Sequence, residues 1–248
     1  MRIAMWSGPR NLSTAMMYGF AARGDCAVWD EPFYAAYLTA TGLDHPMRAE
    51  VIAAGETDPA KVAAACATSP SGGEELFYQK HMTHHMIAGF PLDFMDMCQN
   101  VFLIRHPARV VASYVAKREN PTLADLGFTQ QAALFDHVAQ RTGHAPIVID
   151  SADIRANPRE SLTKLCDALG IPFTDAMLHW PAGPKPHDGA FAPHWYGAVH
   201  RSTGFDAAEG PIPTTPAKLQ HLVDQGLPSY HMMRSFAVKT GFVTLTNI

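Results

Sequence analysis

The first fifteen residues, Met1-Arg-Ile-Ala-Met-Trp-Ser-Gly-Pro-Arg-Asn-Leu-Ser-Thr-Ala15, constrain the fold more than any other stretch. Arg2 to Trp6 is a short, mostly apolar run that reads as a buried strand, although its length alone does not separate strand from helix. Ser7-Gly8-Pro9 ends it: Gly8 permits positive φ and Pro9 fixes φ, so the backbone turns. From Leu12 the residues Leu12, Ala15, Met16, Tyr18, Gly19 and Phe20 fit a largely apolar helix to about Arg23. Strand, tight turn and helix N-terminus place Arg10, Ser13 and Thr14 together on the turn.

Such a turn suits an anion. The first N–H groups of a helix have no partner within it, and the helix dipole adds partial positive charge there. Arg10 adds a full charge on a planar fork, and Ser13 and Thr14 add hydroxyls. The same residues also serve a plain β–α turn with a Ser/Thr cap and a surface arginine. The nucleotide-triphosphatase form of the loop, G-x-x-x-x-G-K-[ST], is absent, which disfavours Mg-dependent phosphoryl chemistry.

Short apolar segments then alternate with helical ones. Strands are expected at Cys26–Trp29, Leu76–Lys80, Val101–Ile104 and Pro146–Ile149. Helices are expected at 33–41, 59–68, 91–98, 107–118, 128–141 and 157–169, the last ended by Gly170. Residues 43–58 read as loop-rich, and 69–73 as a turn. Residues 180–216, rich in Pro, Gly and His, read as long surface loops able to fold over a site, with helical pieces at 219–223 and 230–238. This order predicts an α/β fold: a parallel sheet with helices on both faces, three layers, in a single domain over 1–248. Such sheets bind ligands at the C-terminal ends of their strands, where Arg10, Glu31, His81 and Arg105 fall.

Composition narrows the function. A chain of 248 residues with 47% hydrophobic and 17% charged residues holds a sizeable core. Its net charge of −4 argues against a broad nucleic-acid surface. No apolar run approaches the ~20 residues of a membrane span, and the amino terminus does not read as a secretory leader. Cys26, Cys66, Cys98 and Cys166 form no C-x-x-C pair and read as buried thiols, which suggests the cytoplasm.

Phe102-Leu-Ile-Arg-His-Pro-Ala-Arg-Val-Val-Ala-Ser113 is a second strand–turn–helix, with Arg105 at the strand end and Ser113 about two turns into the helix. Both can reach one phosphate, although taken alone the stretch is explained more simply by an ion-paired arginine and a tolerated serine. Together the two loops resemble those of the sulfotransferases that use 3′-phosphoadenosine 5′-phosphosulfate (PAPS). In that family a P-K-S-G-T-T loop holds the 5′-phosphosulfate, and a later R-x-P…S segment holds the 3′-phosphate. This chain has Pro9-Arg10-Asn11-Leu12-Ser13-Thr14, then Arg105-His106-Pro107 with Ser113 at the same eight-residue offset. Asp30-Glu31-Pro32-Phe33 is similar to the E-P segment of bacterial and carbohydrate sulfotransferases, and Asn157 to Phe173 to the helix and turn after the fourth family strand. Arg10 replaces the usual Lys, Leu12 the Gly, and Ala15 stands where many cytosolic members have an adenine-stacking Trp.

The resemblance implies a P-loop NTPase-like fold and sulfuryl transfer from PAPS, without a metal, to a hydroxyl or amine of a small-molecule or carbohydrate-like acceptor. No nucleic acid or membrane partner is expected. Pro9, Arg10, Asn11, Leu12, Ser13, Thr14, Arg105 and Ser113 become the donor-binding residues, and Arg201 a looser contact to the 3′-phosphate. Sulfuryl transfer, like phosphoryl transfer, depends on positioning and cationic stabilisation, a role assigned to Arg10. The acceptor also needs a base, for which Glu31, after the second strand, and His81, after the third, compete. His81-x-x-His84-His85 also permits a metal reading. A nucleotide-binding protein without sulfuryl transfer, and a phosphotransferase or NTPase, remain alternatives.

Overall fold

The computed structural model describes residues 1–70, 72–116 and 120–238. The chain runs through β1 (Arg2–Ser7), α1 (Ser13–Ala21), β2 (Cys26–Asp30), α2 (Tyr34–Thr41), α3 (Arg48–Ala54), α4 (Pro59–Cys66) and β3 (Leu76–Met82). Next come β4 (Gln99–Ile104), α5 (Pro107–Val115), α6 (Leu123–Leu126), α7 (Phe128–Thr142), β5 (Ile147–Asp150), α8 (Ser151–Ala156) and α9 (Pro158–Leu169). The last helices are α10 (Ala192–Trp195) and α11 (Gln220–Arg234). The strands form one parallel sheet in the order β2-β3-β1-β4-β5.

Each strand alternates its side chains between two apolar layers. Ile3 and Met5 of β1, Tyr78 of β3 and Val101 and Leu103 of β4 pack under α1 and α9. Ala4 and Trp6, with Phe102 and Ile104, pack against α4, α7 and the end of α11. Both faces are therefore covered, as a parallel sheet of near-continuous apolar strands requires. The connection after β1 runs toward β2, and that after β4 runs toward β5. The two loops diverge and leave a crevice at the C-terminal ends of β1 and β4.

Local expectations differ in four places. Residues 43–58 contain α3, whose Val51 is buried. The segment 91–98 forms a 3₁₀ turn, Asp93–Met97. The two helical pieces expected near the end are one helix, α11, running through Gly226 and Pro228. Gly226 packs on α7, where an added Cβ would lie 2.7 Å from Phe128 Cδ2, so close packing overrides the local break signal. Residues 180–216 are not merely surface loops: Trp180, Phe191 and Tyr196 are buried, and α10 packs its Ala192 with Tyr34, Tyr37 and Leu38 of α2. The expected end of α5 near Arg118 and Ser71 of the expected turn lie outside the described residues. Among the described residues no helix is long and apolar enough to cross a membrane.

Candidate active site

The loop after β1 is built on backbone geometry rare for side-chain-bearing residues. Arg10 has φ 64° and Leu12 φ 74°, both in the left-handed region. Leu12 thus keeps the conformation for which a glycine is the usual choice, and it does so as the residue capping α1. The loop is held from both sides. Asn11 is buried and donates Nδ2 to the Leu103 carbonyl at the end of β4, at 3.2 Å. Gly8 lies against the α6–α7 joint, where an added Cβ would approach the Leu126 carbonyl to 2.7 Å. The strain is thus held by surrounding contacts, as at sites where backbone amides must face a ligand.

The loop after β4 meets the first loop across the crevice. Arg105 Nη1 donates to the Arg10 carbonyl at 2.7 Å, and Arg10 Nε donates to Ser113 Oγ at 3.0 Å. Burial and the neighbouring Arg105 both lower the Arg10 pKa. No carboxylate ion-pairs with Arg10 among the described residues. Arg105 is itself paired with Glu209, so the charge left for an incoming anion beside the helix N-terminus is that of Arg10.

The third wall carries the acid–base groups. Asp30 of β2 and Lys80 of β3 are register partners on the same sheet face. Lys80 is buried and its Nζ bonds Asp30 Oδ1 at 2.9 Å, the Tyr196 hydroxyl at 2.9 Å and, in a short contact, Glu31 Oε1. The Tyr196 hydroxyl donates to Asp30, at 2.8 Å from Oδ2. Glu31 has φ 49° and follows the strand directly. Burial pushes its carboxyl up to about 7, against the pull of Lys80. His85, in the 3₁₀ turn Thr83–His85, brings Nε2 to 4.0 Å from Glu31 Oε2. It stacks on Tyr34 and Tyr37, and burial drives its pKa well below the ordinary imidazole value, so it is neutral.

His81 lies elsewhere. It neighbours Lys80 in the chain, and successive strand side chains point to opposite faces. Its ring stacks on Trp6 at a centroid distance of 4.3 Å and packs near Phe33 and Phe94. Its Nε2 donates to Gln79 Oε1 at 3.1 Å, and burial lowers its pKa to about 3. The structure therefore corrects its expected place as a catalytic base: His81 belongs to the apolar layer behind the sheet, and the imidazole beside Glu31 is that of His85. The three histidines of 81–85 accordingly do not share one face.

A cavity of about 400 Å³ joins these walls. Pro9, Arg10, Asn11, Leu12, Ser13, Thr14, Glu31, Arg105, Ser113 and Arg201 all line it, so of the site residues expected from sequence only His81 falls outside. Arg201, at the end of the 3₁₀ turn Val199–Arg201, is exposed at its rim. Sequence reasoning missed Lys80, Tyr196 and Arg155, which also line it, and weighed His85 only as a metal ligand. Strand alternation from Asp30 and Tyr78 could have found Lys80. No local signal marks Tyr196, which comes from a segment with little regular structure.

A family model described as "Sulfotransferase domain" matches residues 1–237. Two curated relatives from Arabidopsis thaliana, branched-chain-amino-acid aminotransferase-like proteins 1 and 2, are 39% and 37% identical over 233 and 232 residues. Each alignment covers 94% of this chain but 41% of the relative, so the chain spans about two-fifths of the length of those proteins. The fold is similar to the sulfotransferase domain of the Synechococcus PCC 7002 olefin synthase, with TM-score 0.54 and 20% identity over 93% of this chain and 94% of that one. It is also similar to the sulfotransferase domain from the curacin biosynthetic pathway, with TM-score 0.52 and 15% identity over 90% and 96%.

Proposed function

The chain belongs to the sulfotransferase domain family, and from that premise we propose that it moves a sulfuryl group from PAPS to a hydroxyl or amine of a small-molecule or carbohydrate-like acceptor. One observation carries the reading. Two strand-end loops bearing Arg10 and Arg105 meet over a single cavity whose third wall is a part-buried carboxylate, Glu31, seated on Lys80.

The donor's demands fit these residues. The loop from Pro9 to Thr14 offers turn and first-turn amides, two hydroxyls and Arg10 to a 5′-phosphosulfate. Arg105 and Ser113 face the same cavity and suit the 3′-phosphate, with Arg201 at its edge. In the transfer, the acceptor oxygen or nitrogen forms a bond to sulfur while the bond from sulfur to the bridging oxygen breaks. Charge grows on the departing 5′-phosphate, where Arg10 and the N-terminus of α1 stabilise it. The acceptor proton passes to Glu31, which burial makes a stronger base than an ordinary carboxylate. Lys80 fixes the Glu31 carboxylate in place, and neutral His85 lies on its other oxygen. The chain itself supplies every group this reading uses, without a metal. Free thiols at Cys26, Cys66, Cys98 and Cys166 suit a reducing, cytoplasmic setting.

Calorimetric titration with 3′-phosphoadenosine 5′-phosphate (PAP), with ADP and ATP–Mg as controls, tests the reading. Tight PAP binding that Arg105→Ala removes is the expected result. Good ATP–Mg binding without PAP binding would overturn it in favour of phosphoryl chemistry. PAP binding without sulfuryl transfer to any acceptor would leave a nucleotide-binding protein.

A further inference from the structure

Beside the crevice, one carboxylate sits among three guanidinium groups. Glu209 Oε1 pairs with Arg105 in a short contact and lies 3.3 Å from Arg155 Nη1, while its Oε2 lies 2.9 Å from Arg109 Nε. Its side chain is 3% exposed, and those of Arg105, Arg109 and Arg155 are 17%, 15% and 21% exposed. The arginines come from three places: the end of β4, α5 and α8. Glu209 comes from none of these. It rides on the stretch after Gly204, which has no helix or strand before the 3₁₀ turn Ala217–Leu219.

Two features separate this cluster from an ordinary structural ion pair. The first is charge. Three guanidinium groups face one buried carboxylate, and the other acid that ion-pairs with them among the described residues, Asp206, is 3.8 Å from Arg155 with a side chain 70% exposed. The surplus matches a phosphate monoester, with charge about −1.5 to −2 and three oxygens, better than a carboxylate. The second is anchoring. Asp206, Ala207, Ala208, Gly210, Pro211 and Ile212 are all exposed, and the stretch is tied down chiefly through the same arginines, Arg155 Nε to the Ala207 carbonyl at 2.9 Å and Arg109 to the Gly210 carbonyl. Releasing Glu209 therefore uncovers little apolar surface.

We propose that Arg105, Arg109 and Arg155 form one phosphate-binding site that Glu209 fills from within the chain, and that the second phosphate of a nucleotide enters by exchanging with this carboxylate. The identity of the nucleotide rests on the sulfotransferase reading; the exchange does not. Arg109 and Arg155 join the donor site, and Glu209 is an internal competitor. The apparent affinity for a nucleotide with a second phosphate is reduced by the fraction of molecules in which Glu209 holds the site.

The test titrates PAP, AMP and inorganic phosphate into the wild-type chain, Glu209→Gln and Glu209→Gln/Arg155→Ala, and follows amide exchange of residues 206–210 in the wild type. Exchange of carboxylate for phosphate predicts that Glu209→Gln tightens PAP by about tenfold or more and leaves AMP unchanged. Adding Arg155→Ala abolishes the gain. In the wild type, PAP binding makes amides 206–210 exchange faster. Unchanged or weaker PAP binding in Glu209→Gln overturns the proposal, as does slower or unaltered exchange at 206–210 on PAP binding. The exchange result decides the matter should Glu209→Gln fail to fold. Should no nucleotide bind, phosphate that raises the melting temperature of Glu209→Gln more than that of wild type, and not that of the double variant, upholds the exchange and removes the donor reading. Absence of that phosphate effect as well overturns both.

Discussion

Glu31 combines a left-handed backbone, φ 49°, with a part-buried carboxylate paired to Lys80. Folding raises its pKa from 4.5 to about 7. Between these values the native chain holds a proton that the unfolded chain has lost, so the stability contributed by neutral Glu31 is complete below about pH 4.5 and lost as pH rises through about 7. With Glu31 as the proposed base, turnover needs the ionised carboxylate and is expected to move the opposite way: kcat/KM rises with pH and levels off above an apparent pKa near 7. Glu31→Gln is expected to lower kcat by about 10²–10⁴-fold, retain PAP binding and flatten the stability curve across that window. Steady-state rates and thermal melts from pH 4.5 to 8 check both; a variant with wild-type kcat would dismiss Glu31 as the base. His81→Ala is expected to do the reverse. It empties a packed place beside Trp6, Phe33 and Phe94, lowers the melting temperature by several degrees and leaves kcat of the folded enzyme unchanged. Sequence alone favoured Glu31 only slightly and kept a Glu31–His81 pair open, because each follows a strand. The period of two separates them, and it acts only once the strand's faces are known.

At the scale of elements, the β1–α1 loop shows what a sequence conveys and what it does not. Gly8-Pro9 announces the turn, and Ser13 and Thr14 announce the helix start. The left-handed conformation of Leu12 is not legible, since a leucine argues against it; Asn11 and the packing of Gly8 impose it from outside. The five strands were readable as apolar runs, and the layers follow from their alternation with helices. Continuity of α11 through Pro228 was not, because Gly226 serves a partner helix distant in sequence. Two predictions belong here. Gly8→Ala forces a Cβ toward the Leu126 carbonyl and is expected to cost roughly 1–3 kcal/mol and to weaken PAP binding, because the loop must shift. A chemical-denaturation midpoint and a PAP titration on the same sample test it, and a stable variant with full PAP affinity would show that the loop tolerates displacement. Ser113→Ala removes the acceptor of Arg10 Nε and a cavity hydroxyl. PAP should weaken more than adenosine 5′-phosphosulfate, and equal losses would place Ser113 away from the second phosphate.

At the scale of the molecule, the segment after Trp180 is what turns an open crevice into a cavity. Tyr196 reaches back across the sheet edge to bond Lys80 and Asp30, and Gly189 N–H bonds Asp30 Oδ2 at 3.0 Å. Phe191 and Tyr196 pack on Tyr34, Tyr37 and Leu38 of α2. Residues more than a hundred positions apart thus share one charge network, which is why composition alone suggested loops and concealed a wall of the site. The network also couples the segment to the proposed base, because Lys80 holds Glu31 and Tyr196 holds Lys80. Tyr196→Phe keeps the ring packing and removes only the hydroxyl. Asp30 then retains Lys80 and Gly189, and Lys80 retains the two carboxylates, so each charged group loses one buried partner. The expected cost is about 1–3 kcal/mol, with faster amide exchange across 187–201 and slower turnover from a less firmly held Glu31. Tyr196→Leu, which removes hydroxyl and ring together, should lose more stability while changing turnover similarly. If Tyr196→Phe melts and exchanges like the wild type, the apolar contacts of Phe191 and Tyr196 alone hold the segment, and the hydroxyl network serves Glu31 without fastening the wall.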